Sequence, residues 1–221
     1  GREGPRRERA AAHTSPQEKA TTTTHSMDRL WLRTDVSGGA LLQFAAEGDL
    51  EGVEQELRNG TPVDFEGPND RTAMHCTSDV AIMKKLVEAG AEVNSRDRRL
   101  WTPLHFSAKR GNLGTARYLV REAKAAINPR NARANTPLML AAYHRKKAMV
   151  QYLVSAGAGI GLEGAWGTVV DVAARRGLPE LVQWIKSFVI HKTGAVVRRD
   201  LDAVVPMLVP RILKAVHGFS R

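Results

Sequence analysis

With 221 residues and 43% apolar composition, the chain can bury one sizeable core, and it has no apolar run long enough to span a membrane. A single cysteine excludes an internal disulfide and fits a reducing compartment, and no signal peptide is visible after Gly1. The net charge of +10 is uneven: Met27 to Gly90 carries −6, Ala91 to Ile190 carries +10, and the two tails add +2 and +4. Such asymmetry points to an electrostatically directed partner or to self-association.

Residues 1–26 are rich in Arg, Ala and Thr without apolar periodicity, which predicts a disordered basic tail. Their Arg, Ser and Thr content would also suit an organellar transit peptide, although three Glu residues count against that. Residues 27–36, with Trp31 and Leu32, read as an N-terminal packing segment. From there a unit recurs. Ala40-Leu41-Leu42-Gln43 opens the first copy, followed by Thr72-Ala73-Met74-His75, Thr102-Pro103-Leu104-His105, Thr136-Pro137-Leu138-Met139 and Thr168-Val169-Val170-Asp171. The starts lie 32, 30, 34 and 32 residues apart. Thr can cap orphan backbone N–H groups, and Pro suits a first helical position that needs no amide hydrogen. Gly111 then ends a helix of about two turns, and Asn112 can cap a second one bearing Ala116, Leu119 and Val120 on one face. A helical hairpin this small cannot bury its apolar stripe alone, so it needs copies on either side.

A period near 33 with T-P-L-H-x-A resembles the ankyrin repeat, and the likeness runs from about Ser37 to Phe188. The resemblance implies an all-α ankyrin-repeat solenoid of about five helix-turn-helix repeats, with short β-hairpin-like fingers between them. It places an ankyrin repeat domain at 27–190 and leaves 191–221 as a C-terminal helical extension. There Leu201, Val205, Leu208, Val209, Ile212 and Val216 recur at about four-residue spacing, interrupted by Pro206 and Pro210. They read as a degenerate sixth helical pair capping the stack, or alternatively as a basic amphipathic segment for a membrane surface.

Departures from the pattern are local. The second copy is three residues short after His75, so its first helix is expected to be little more than one turn. The third has Glu122-Ala123-Lys124 at the Gly-Ala turn, with one residue inserted before Ile127-Asn128. The fourth puts Arg145 where a helix-ending Gly usually sits, and the fifth lacks the Pro and His of its tetrad.

By the resemblance, fingers and inner-helix ends line a concave binding face. Carried onto this chain, the face is basic and aromatic from the third copy to the fifth. Its candidate partner-binding residues are Arg96, Arg98, Arg99, Trp101, Lys109, Arg110, Arg130, Arg133, Tyr143, His144, Arg145, Trp166, Arg175 and Arg176. Arg beside an exposed Trp is a plausible contact anchor, although either Trp could instead pack on a neighbouring finger.

Other chemistry finds little support. Gly159-Ile160-Gly161-Leu162-Glu163-Gly164 matches G-x-G-x-x-G, but a helix rather than a strand precedes it, so it reads as a turn. For Cys76 beside His75 the sequence makes no third orienting group evident, and the seven histidines show no metal-ligand spacing. The expectation is a non-enzyme without catalytic, cofactor or metal site, located in the cytoplasm or nucleus and monomeric at physiological salt. It would act as a protein-interaction scaffold holding an acidic partner segment. The alternative is nucleic-acid or other polyanion binding through the same face, since the sequence pI is about 10.2. Service as a regulatory module for an enzyme on another chain is a third reading.

Overall fold

The computed structural model describes residues 38–196, with side chains as far as Val189. The readings of the N-terminal tail, the 27–36 segment and the Leu201 to Val216 stripe lie outside these residues.

Five helical pairs follow one another: α1 (Gly39–Glu47) with α2 (Leu50–Arg58), α3 (Ala73–Cys76) with α4 (Val80–Glu88), and α5 (Pro103–Arg110) with α6 (Leu113–Arg117). Then come α7 (Pro137–Tyr143) with α8 (Lys147–Ser155), and α9 (Val169–Arg175) with α10 (Pro179–Val196). Among the described residues there is no strand; the fingers close through single bridges and turns, as Gly67 with Arg71 and Gly164 with Gly167 show. Each Thr of the recurring tetrad is the N-cap of its inner helix, at residues 72, 102, 136 and 168, while the first inner helix starts at Gly39. The shortened second copy has an inner helix of four residues. The α10 helix continues past residue 190 to Val196.

The core is one continuous layer between inner and outer helices. Leu41, Leu104, Leu138 and Val169 from the inner helices meet Val53, Leu86, Leu119, Leu153 and Leu181 from the outer ones, all buried. Polar tethers join successive repeats beside this layer. The Thr102 N–H donates to His105 Nδ1 at 3.1 Å, which fixes the tautomer and leaves Nε2–H to donate to the Asn135 carbonyl of the next repeat at 3.1 Å. His75 repeats the arrangement toward the Ser95 and Trp101 carbonyls, at 3.1 and 3.0 Å. In the fifth copy the Asp171 carboxylate takes over the cap, accepting from the Thr168 N–H at 2.8 Å. A carboxylate can only accept, so it makes no donation like those of His75 and His105.

Two ladders run along the stack. Asp64, Asn94 and Asn128 each accept, through a side-chain oxygen, the backbone N–H of the following repeat at Glu92, Ala126 and Gly159. At the fingertips the N–H groups of Arg98, Ala132 and Ala165 donate to the carbonyls of Asn69, Arg99 and Arg133, each at 2.9 Å.

The insertion in the third copy lies inside the outer helix. Tyr118–Glu122 forms a π-helical turn continuing α6, closed by the Ala123 N–H on the Tyr118 carbonyl at 3.0 Å. One extra residue is absorbed there, as π-bulges do. Lys124-Ala125 then fills the Gly-Ala slot. Lys124 has φ 57 where Gly90 and Gly157 have 92 and 97, and Ala125 is buried like Ala91 and Ala158.

Arg145, at φ 59, occupies the left-handed turn position held by Gly48, Gly111 and Gly177 elsewhere. A side chain there strains the backbone by about 1–2 kcal/mol, partly offset by the unfolded-state entropy that glycine adds. Arg145→Gly is therefore expected to raise the urea midpoint by up to about 1 kcal/mol of stability; a lower midpoint would show that the turn is unstrained.

Candidate functional site

The ends of α5, α7 and α9, together with the fingers, bring aromatic rings and cations together in alternation. Phe106 projects from α5 and meets Trp101 at 5.2 Å between centroids and His75 edge-on at 5.6 Å. Arg71 and Arg110 lie against its ring, at 4.8 and 5.6 Å. Lys109 stands 5.7 Å from the Trp101 ring. One repeat on, Tyr143 stacks on Trp166 at 4.4 Å and 19°, touches His144 edge-on at 5.2 Å, and carries the Arg176 guanidinium 4.6 Å above its ring. Cations over ring faces gain from the ring quadrupole and are held in place by it.

Not every cation here is available to a partner. Arg110 donates through Nη1 to the His75 and Thr77 carbonyls at 3.3 and 3.1 Å, tying the third repeat to the second. Arg175 donates to the Asp171 carbonyl at 3.3 Å and to the Trp166 carbonyl, so it anchors the last finger. Arg71 pairs with buried Asp97 at 3.6 Å, and the same Asp97 carboxylate caps the finger by accepting from the Arg99 and Trp101 N–H groups. Lys109, Arg145, Lys146 and Arg176 are exposed and, among the described residues, form no ion pair with a carboxylate.

His144 sits among three of these charges. Burial, then Lys109, Lys146 and Arg176, hold its pKa below the ordinary imidazole range. Lys146 was not among the residues singled out from sequence. It occupies the N-cap position of α8 without a capping hydrogen bond, whereas Asp49, Asp79 and Asn112 cap α2, α4 and α6 from that position. A lysine there forgoes the cap and sets a positive charge against the positive end of the helix dipole. Its stem lies against Gly111, where an added Cβ would come within 2.7 Å of it. The signal available in sequence was this residue type in a slot that holds Asp or Asn in the first three copies.

Of the residues expected to line the face, the structure gathers Trp101 with Lys109, and Tyr143, His144 and Trp166 with Arg176. Trp101 and Trp166 are half-buried, packed on neighbours yet partly open. Arg96, Arg98, Arg99, Arg130 and Arg133 are exposed along the finger segments; the backbones of Arg98, Arg99 and Arg133 belong to the fingertip ladder. Arg110 and Arg175 are tied into the scaffold as described. Among the described residues no three His, Cys, Asp or Glu side chains are grouped to hold a metal ion, and no helix is long and apolar enough to cross a membrane.

Comparison with known proteins agrees with the architecture. The profile for ankyrin repeats in three copies matches residues 41–131 and 76–164, together more than half of the chain. The chain belongs to the ankyrin-repeat family. Protein phosphatase 1 regulatory subunit 27 of Mus musculus is 34% identical over 83 residues, which cover 36% of this chain and 54% of that protein. Serine/threonine-protein kinase 12 of Arabidopsis thaliana is 29% identical over 94 residues, 40% of this chain and 20% of the kinase. The Notch-regulated ankyrin repeat-containing protein of Homo sapiens is 30% identical over 85 residues, 35% of this chain and 75% of that protein. The ankyrin array thus spans about half the length of the phosphatase subunit and a fifth of the kinase. As a family, ankyrin repeats are typically protein-interaction modules.

Proposed function

We propose that this ankyrin array is a non-catalytic, intracellular interaction module that holds an acidic segment of a protein partner on the exposed cations of its third to fifth repeats, acting as a monomer. The observation that carries this reading is that Arg176 lies over the Tyr143 ring beside His144 and the Lys146 stem lies against Gly111, two residues after Lys109, all three cations exposed, acting on His144 and without a carboxylate partner among the described residues. Such an arrangement leaves a positive field directed at solvent and steers an acidic chain toward it. Two supports add to that observation. Rings that hold cations in place reduce the ordering cost of binding. The phosphatase 1 regulatory subunit that this chain resembles is, as its name says, a subunit that serves another protein.

The test is fluorescence polarisation of a short labelled acidic peptide against the full chain. The triple variant Lys109→Glu, Lys146→Glu, Arg176→Glu is expected to abolish binding while leaving the melting temperature nearly unchanged. Arg110 and Arg175 are unsuitable for such reversal, since their donated hydrogen bonds hold repeats and finger together. Undiminished binding by the triple variant would place the partner elsewhere. A labelled DNA or RNA duplex in the same assay addresses the polyanion reading: binding tighter than the peptide's, with a steep loss as salt rises, would favour nucleic acid.

A single substitution separates function from fold. Lys146→Asn restores a capping side chain at the start of α8 and is expected to raise stability by about 1 kcal/mol in urea melts. The same change removes one of the three cations and should weaken peptide binding. Stability and binding moving together in this variant would show that Lys146 serves the fold alone.

A further inference from the structure

Resting on the proposed acidic-segment reading, the number and placement of charges at the ends of α5, α7 and α9 narrow the kind of acid that fits. Three cations act on His144 from three repeats: Lys109 near the end of α5, Lys146 at the start of α8 with its stem against Gly111 just past that end, and Arg176 at the end of α9. Arg176 is held 4.6 Å over the Tyr143 ring, and that ring meets His144 at 5.2 Å and Trp166 at 4.4 Å, so the guanidinium and the imidazole flank one aromatic platform. The nearby acid Glu180 is already taken by Lys147 at 2.8 Å. We propose that this cluster receives a phosphoryl group carried on a side chain of the partner segment.

The match is one of charge and donor number. A lone carboxylate brings one negative charge and leaves two of the three cations unbalanced. A phosphorylated side chain brings about −1.5 to −2 and three strong acceptor oxygens, enough for two ammonium groups and a guanidinium at once. Arg176 supplies the planar fork suited to two of those oxygens, and the two lysines act as point charges. The partly buried His144 completes the shell. The cations that disfavour its charged form are the ones a dianion would neutralise, so occupancy favours protonated His144, whose ring can then donate to the anion. A bound dianion therefore raises the His144 pKa from its lowered value. The charges acting on His144 are Lys109, Lys146 and Arg176; Lys147 on α8 faces Glu180.

The experiment uses the full chain, labelled for NMR, and three peptides of one neutral sequence: one with a single phosphoserine, one with unmodified serine, and one with two adjacent glutamates. Inorganic phosphate is a fourth arm. The phosphopeptide is expected to shift the amide signals of His144, Arg145 and Lys146, and to bind at least about tenfold tighter than the two-glutamate peptide. It should also raise the His144 titration midpoint, which the unmodified-serine peptide should leave unchanged. The triple variant Lys109→Gln, Lys146→Gln, Arg176→Gln should lose these effects with its melting temperature retained. Equal affinity for the two-glutamate peptide would overturn the phosphoryl inference and leave the acidic-segment reading standing. Inorganic phosphate binding as tightly as the phosphopeptide would overturn the assignment to a partner side chain. If no peptide binds, both readings fall.

Discussion

Leu104→Ala and Leu138→Ala are each expected to destabilise the array by about 2–5 kcal/mol. Both leucines follow the proline of their tetrad, are 1% exposed, and lie in one continuous apolar cluster between inner and outer helices. Truncation removes their transfer free energy and leaves a cavity that short, doubly flanked helices cannot collapse to fill. The loss is a large share of the roughly 5–15 kcal/mol available to a domain. Because each repeat is stable only against its neighbours, a hole in the third or fourth repeat weakens two contacts between repeats together. Urea melts followed by circular dichroism and by tryptophan fluorescence check this. Unchanged midpoints in both variants would mean that the stabilising core lies elsewhere.

Lowering the pH from neutrality toward 4 is expected to cost about 3 kcal/mol at His105 alone. Burial pushes the His105 pKa down from 6.5 to about 4, against the raising effect of its bond to the Asn135 carbonyl. The unfolded chain therefore binds this proton first. Stability is full above the unfolded value of about 6.5 and is lost progressively as pH falls through the folded value. The structural reason is that Nδ1 must accept from Thr102 while Nε2 donates to Asn135, and an imidazolium can only donate. His75, lowered in the same direction and also mainly by burial, adds to the loss. Urea melts at several pH values, with His105→Gln as the non-titrating comparison, provide the measurement. A variant whose stability falls as steeply as the wild type's over this window would show that His105 is not the group responsible.

Much of the scaffold could be read locally. A Thr that caps, a Pro at the first helical turn and a His three residues later all act within one helical turn, so four of five inner-helix starts were legible to the residue. The π-helical turn was not legible, because an inserted residue can be taken up anywhere between Leu119 and Asn128. Only the packing of Ala125 into the slot used by Ala91 and Ala158 places it inside the helix. Positions on the candidate face could be listed from the repeat, but their engagement could not. The His75 and Thr77 carbonyls that hold Arg110 lie 35 and 33 residues upstream, and backbone carbonyls carry no sequence signature. Lys146 was overlooked because its slot belongs to caps, and only its residue type is out of place there.

The two ladders give the array a direction of assembly. N–H groups at Glu92, Ala126 and Gly159, and again at Arg98, Ala132 and Ala165, find acceptors that the preceding repeat already holds in place. Synthesis delivers the chain in that same order, at about 5–20 residues per second. Once the first repeats have folded against one another, each later repeat leaving the ribosome meets a template already in place. A chain with this much exposed apolar helix in its unfolded form can therefore be made without ever presenting all of it to the cell at once.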